Sequence, residues 1–218
     1  MPTQPLGWFK KPIQKAEDFK GLKFRTVGIS IDVFTALGAA VNALPGGEIV
    51  PAMDRGLLDA AEFNNATSDH LLGFADVSKV CMLQSYHQNA EQFEIMFNKA
   101  KFDALPAKVK AIIENAVEAA SADMSWKAID RYSKDYVDLE KKGVKFYKTP
   151  DAVLQRQLVG YDAAAAKKSE GNALFKEIEA SQKEFAQRVV RWDLDTNVGR
   201  RMAYNHYFGQ KAAAPKKA

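Results

Sequence analysis

Through the first hundred residues, apolar positions come in short bursts divided by glycine, proline and polar turns. Leu22 to Val27 alternates as a half-buried strand does, and Ala40 to Leu44 and Asp59 to Phe63 are further runs of strand length. Helix signals lie around them. Ala16 to Lys20 is halted by Gly21, a second helix can be capped by Ser30 or Asp32 and runs to Leu37 and Gly38, and Pro45-Gly46-Gly47 turns into Glu48 to Arg55, stopped by Gly56. This βαβαβ rhythm predicts an α/β fold with a parallel sheet flanked by helices. Val80 to Tyr86 and Phe93 to Phe97 have the length and bulk of two more strands.

Beyond Pro106 the period changes. Val109, Ile112, Ile113, Ala116, Val117, Ala120 and Met124 recur at helical spacing, and Ile129, Tyr132, Tyr136 and Leu139 continue the pattern to Gly143. The result is a predicted helix of about 35 residues, roughly 50 Å at the usual rise. A short strand, Val144 to Tyr147, precedes a helical stretch from Asp151 to Trp192 with a break at Ser169 to Asn172. Residues 209 to 218 read as a disordered Ala/Pro/Lys tail.

Composition narrows the function classes. A chain of 218 residues, 47% hydrophobic and 27% charged, is an ordinary globular protein, and no run nears the roughly 20 apolar residues of a membrane span. Lys211, Lys216 and Lys217 in the tail carry most of the net charge of +4, so the body lacks the basic stripe that nucleic acid requires. The lone Cys81, among Val80, Met82 and Leu83, reads as a small buried hydrophobe. Asn65-Ala66-Thr67 matches a glycosylation sequon by composition alone. The first eight residues show neither the charged nor the apolar region of an export signal. His70, His87 and His206 have no ligand spacing, and no phosphate loop, nucleophile elbow or zinc-protease motif occurs, so the sequence argues against an enzyme.

Two strand ends carry unusual polar groups, and open α/β sheets bind ligands beyond the carboxyl ends of their strands. Arg25 closes the first strand of the series; its guanidinium is either a fork for a ligand carboxylate or half of a surface ion pair. Glu62-Phe63-Asn64-Asn65 is either a site for a cation with a polar ligand or a polar turn.

These residues carry a family likeness. Gly7-Trp8-Phe9, Asp18 to Gly28, Leu44 to Ala52, and Asp59 to Asn65 followed by Tyr86-His87-Gln88 resemble, in order and spacing, the solute-binding receptors of tripartite ATP-independent periplasmic (TRAP) transporters. The likeness is to the branch that takes α-keto and hydroxy acids, often named for mannitol or chloroaromatic compounds. It extends to Ala203-Tyr204-Asn205-His206-Tyr207-Phe208. The resemblance implies a periplasmic-binding-protein fold, a periplasmic location, transporter membrane subunits as partners and a non-catalytic receptor for a small organic acid.

Such receptors are longer, and this chain starts about where their second lobe begins. The implied layout is residues 1–88 as the second α/β lobe, 89–148 as a returning strand, the long lobe-spanning helix and a short strand, and 149–208 as a C-terminal helical segment, with the first lobe largely missing. The resemblance assigns Arg25 to the ligand carboxylate, with Asn65 beside it and Trp8 and His87 at the ligand. It assigns Gln4, Glu62 and the backbone carbonyl of Phe63, where Trp is frequent, to a sodium or calcium ion. The alternative is a truncated remnant that binds nothing and dimerises through its C-terminal helices.

Overall fold

The computed structural model describes residues 4–209. In chain order its elements are β1 (Gly7–Phe9), a 3₁₀ turn (Ala16–Phe19), β2 (Lys23–Arg25), α1 (Ser30–Ala36), β3 (Ala40–Asn42), α2 (Gly46–Asp54), β4 (Ala60–Ala61), α3 (Ala66–Leu72) and α4 (Phe74–Val77). There follow β5 (Val80–Leu83), α5 (Lys99–Asp103), α6 (Ala107–Lys141), β6 (Lys145–Lys148), α7 (Asp151–Gly171), α8 (Ala173–Thr196) and α9 (Arg200–Phe208). The strands form one sheet in the order β3-β2-β4-β1-β5-β6.

The central strands β4, β1 and β5 are short but apolar on both faces, as covered sheets require. Successive residues serve opposite cores. Phe9, Phe24, Ala60 and Met82 pack with Phe19, Phe34, Leu37 and Val153 on one side. Trp8, Ala61 and Cys81 pack with Ile49, Met53, Phe74 and Leu139 on the other. The buried Cys81 is the small hydrophobe that its neighbours predicted.

The sheet departs from the expected parallel arrangement. β3, β2 and β4 are parallel, as are β5 and β6, but β1 runs antiparallel to both of its neighbours, β4 and β5. Three residues are too few to display a strand period, so β1 was not predicted. Its insertion depends on Gly7, whose φ is +138° and where a Cβ would stand 2.5 Å from the Ala61 carbonyl oxygen. Only glycine combines that dihedral with so close a backbone approach.

Phe93 to Phe97 is not a strand. The segment is irregular, and Phe93, Ile95, Met96 and Phe97 are exposed. Bulk and length predicted a strand, but no strand among the described residues pairs with it, and an unpaired strand leaves its backbone groups unsatisfied. β6 instead takes the place beside β5.

The long helix is present with the predicted length of 35 residues. Its buried residues, Ala128, Asp135 and Leu139, all belong to its C-terminal half, which packs on α3. There Asp135 accepts hydrogen bonds from the Thr67 hydroxyl and from Arg131 Nε (3.0 Å), with His70 Nδ1 at 3.7 Å. Burial pulls the Asp135 carboxyl upward, but these partners outweigh it and hold its pKa below the ordinary value. The predicted helical break falls at Asn172, whose side chain caps α8 by accepting from the Phe175 N–H at 3.0 Å.

The chain divides into two compact units after Ala166: the first holds the sheet, and the second holds the end of α7 with α8 and α9. All of the tail beyond Gly209 lies outside the described residues. No helix among the described residues is long and apolar enough to cross a membrane.

Gly7→Ala is expected to lower the stability of the first unit by about 1–3 kcal/mol or more, since it adds backbone strain to a steric clash. Urea unfolding followed by tryptophan fluorescence measures this; an unchanged midpoint would show that β1 is not anchored as described.

Candidate functional site

Arg25 ends β2 and Glu62 follows β4, the strand beside it. Because these strands are parallel, both side chains emerge at the same carboxyl edge of the sheet. Of the two readings of Arg25, a surface ion pair does not hold: the arginine is buried and pairs with Glu62. Its Nη1 donates to Glu62 Oε1 at 3.0 Å and to the Glu62 carbonyl at 2.8 Å, while Nε donates to the Leu44 carbonyl at 2.9 Å. No hydrogen bond among the described residues uses Nη2. One arm of the fork thus fixes the site and the other is uncommitted.

The second oxygen of Glu62 meets two further candidates. Gln4 Nε2 donates to Oε2, and His87 Nε2 stands 3.9 Å from it. Gln4 is tied in place through its backbone N–H to the Gln88 carbonyl at 3.2 Å. Gln4, Arg25, Glu62 and His87, scattered over more than eighty positions, therefore converge on one carboxylate. The Phe63 ring lies 5.8 Å from the Arg25 guanidinium carbon. It also covers Gly46, where a Cβ would fall 2.6 Å from the ring, so the glycine of the turn makes room for the aromatic.

The remaining candidates are placed differently. Asn65 is the N-cap of α3, its side-chain oxygen accepting from the Ser68 N–H at 3.0 Å while its amide donates to Asn64 Oδ1. Trp8 is a core residue beneath the site, stacked on Phe74 at 5.5 Å, with its indole N–H donated to Asp69 Oδ2 at 2.8 Å.

Sequence reasoning missed Asp69, Ser85 and Gln157. Asp69 is fully buried on α3 and also accepts the Asn64 N–H at 3.2 Å, so it ties Trp8 to the chain just beyond Glu62. Burial raises its pKa to about 7 despite these two donors, with Glu62 and Glu91 pushing in the same direction. Glu91 is raised to about 7 by its own burial. Gln157 on α7 receives both the Tyr86 N–H (2.8 Å) and the Ser85 hydroxyl (3.0 Å), which holds the segment bearing His87. No local pattern distinguishes these three from ordinary helix and loop residues; only the folded chain shows what they touch.

Two carboxyl oxygens, an amide and a guanidinium arm thus meet at one carboxyl edge of an α/β sheet. Residues 4–160 match the family described as bacterial extracellular solute-binding protein, family 7, and the chain belongs to that family. It is 29% identical over 192 residues to a monocarboxylate 2-oxoacid-binding periplasmic protein from Nostoc sp., covering 88% of this chain and 52% of that one. The chain thus spans about half the length of that relative. Among solved structures it resembles a TRAP periplasmic solute-binding protein from Colwellia psychrerythraea with bound calcium and pyruvate (TM-score 0.84, 26% identity, 95% of this chain and 62% of that one). It equally resembles one from Pseudoalteromonas atlantica with bound sodium and pyruvate (TM-score 0.83, 26% identity, 95% and 62%).

The buried acids predict an inverted pH dependence. In the folded state Asp69 and Glu91 hold protons to about pH 7, whereas the unfolded chain releases them near 4. Their contribution to stability is thus full below about pH 4 and is lost as pH rises through 7. The urea midpoint should rise on acidification from pH 7.5 to 5, and Asp69→Asn should flatten that slope. A midpoint that falls over this interval would contradict the assignment.

Proposed function

We propose that the protein is a non-catalytic receptor component that captures a small 2-oxo or 2-hydroxy monocarboxylate in the periplasm and delivers it to the membrane subunits of a tripartite transporter. The observation that carries this reading is Arg25: a buried guanidinium, locked by Nε and Nη1, with Nη2 uncommitted at the carboxyl edge of the sheet. A ligand carboxylate gains a charge-assisted hydrogen bond there without any reorganisation of the arginine. The proteins that bind pyruvate in the comparison structures support the substrate class.

A cation accords with the donor set. Glu62 supplies carboxylate oxygens, Gln4 an amide and Phe63 a backbone carbonyl, all hard ligands of the kind sodium and calcium take. Among the described residues no cluster of three or more His, Cys, Asp or Glu side chains could hold a metal, so a site here is built on one carboxylate and neutral oxygens. When bound, the ion would supply positive charge to the acid, and ligand oxygens would complete its shell. In this reading residues 1–88 are one wall of a two-lobed receptor, 89–148 return toward the other lobe, and 149–208 form the helical C-terminus.

A second reading draws on α8, where Leu174, Ile178, Phe185 and Trp192 recur at helical spacing and are exposed. Self-association along this stripe without ligand capture would make the chain a dimerising remnant. Light scattering beside calorimetric titration separates the two readings.

Titration with pyruvate and lactate in the presence of calcium tests the first. Arg25→Lys and Arg25→Ala should weaken binding, the latter by about 2–5 kcal/mol. Glu62→Gln should weaken calcium and acid together. Unchanged acid affinity in a folded Arg25→Ala protein would end the proposal.

A further inference from the structure

A hydrogen-bonded chain from α7 ends inside the site, and its proton positions can be worked out link by link. The Tyr86 backbone N–H can only donate, and it meets Gln157 Oε1 at 2.8 Å, which fixes the orientation of that amide. The Ser85 hydroxyl oxygen lies 3.0 Å from the same Oε1. Two oxygens this close require a proton between them, and only Ser85 has one to give. Its single proton spent, Ser85 Oγ acts as an acceptor toward His87, whose Nδ1 lies at 2.6 Å and whose backbone N–H lies at 3.4 Å. His87 Nδ1 therefore carries a proton, and in a neutral imidazole Nε2 is left with a lone pair.

That lone pair has nothing to accept from. His87 Nε2 is buried, and it has no hydrogen-bond partner among the described residues. Glu62 Oε2, 3.9 Å away, is a carboxylate oxygen already receiving Gln4 Nε2. The Phe34 ring, 5.6 Å from the imidazole, offers no donor. A buried acceptor that faces another acceptor is costly until a donor arrives between them.

We infer that His87 Nε2 accepts a hydrogen bond from the hydroxyl of the bound acid, and that Gln157 and Ser85, by fixing the tautomer, make the site favour 2-hydroxy over 2-oxo acids. The inference rests on the capture of a small organic acid proposed above. A hydroxyl oxygen carries the proton that Nε2 lacks, whereas a keto oxygen presents a third acceptor. Gln157 and Ser85 are positioning residues: neither reaches Glu62, and each acts through the imidazole.

The tautomer is tested without any ligand. Nitrogen NMR of the chain carrying ¹⁵N-histidine, with His87→Asn to assign the resonance, should show His87 protonated on Nδ1 only. A proton on Nε2, alone or in an imidazolium, overturns the inference. The preference is tested by titrating lactate and pyruvate in parallel with calcium present. Lactate should bind about fivefold to tenfold more tightly, the worth of one hydrogen bond. The ratio should fall toward one in Ser85→Ala and be retained in Gln157→Glu, which keeps an acceptor for both donors. Equal affinities, or a preference for pyruvate, overturn the specificity claim while leaving the capture reading intact. Failure of both acids to bind overturns the capture reading and the specificity claim with it, and the NMR result still decides the tautomer.

Discussion

The buried pair of Arg25 and Glu62 is the constraint around which the site is organised. Two opposite charges taken out of water lose several kcal/mol of hydration each, and their attraction repays this only when the remaining donors and acceptors are also satisfied. The fold meets that condition with backbone. Arg25 binds the Leu44 and Glu62 carbonyls as well as the Glu62 carboxylate, so one guanidinium joins the end of β2, the turn before α2 and the end of β4. Gln4 engages the other carboxylate oxygen. The turn glycine at position 46 and the Phe63 ring it accommodates close the apolar side of the same group. The strands around the pair are only two or three residues long, so these contacts, as much as the ladder hydrogen bonds, set the geometry of the sheet edge.

How much of this the sequence disclosed follows from which interactions are local. The alternation of β2, the helix stops at Gly38 and Gly56, and the 3.6-residue period of α6 are properties of neighbouring residues, and each element was found close to where it was expected. Arg25 and Glu62 were both singled out because strand ends are visible locally, but their pairing spans 37 positions and emerges only from sheet register. β1 was invisible because Gly-Trp-Phe has no period, and its antiparallel sense is imposed by what it is inserted between. Phe93 to Phe97 misled for the opposite reason: its local composition suits a strand, yet a strand exists only with a partner. Asp69 and Gln157 read as helix residues because that is what they are; their contacts with Trp8 and Ser85 span 61 and 72 positions.

The long helix shows the same separation of local and distant causes. Its N-terminal half has no buried residue, yet it remains helical. That half is rich in alanine, the strongest helix former, and near its end Asp123 pairs with Lys127 one turn later. Its C-terminal half is positioned by packing, through Asp135 at α3 and through Leu139 and Tyr136, the latter stacked 4.1 Å from the Phe146 ring of β6. Period thus specified the helix, and burial specified which half of it packs against its neighbours.

Electrostatics then bears on what the site accepts. Glu62, Asp69 and Glu91 are all buried near the carboxyl edge, and the Arg25 guanidinium is partly neutralised by Glu62. Burial holds Asp69 and Glu91 toward their neutral forms up to about pH 7, which limits the negative charge that an incoming anion meets. A carboxylate ligand would still place a second anion beside Glu62. One arm of Arg25 contributes attraction, but it is shared. A cation between the two carboxylates would turn their repulsion into two favourable contacts, and it would do so most effectively in surroundings from which water is excluded. The proposed metal and the proposed acid are therefore expected to bind as a mutually dependent pair, because each supplies the charge that makes the other's burial tolerable.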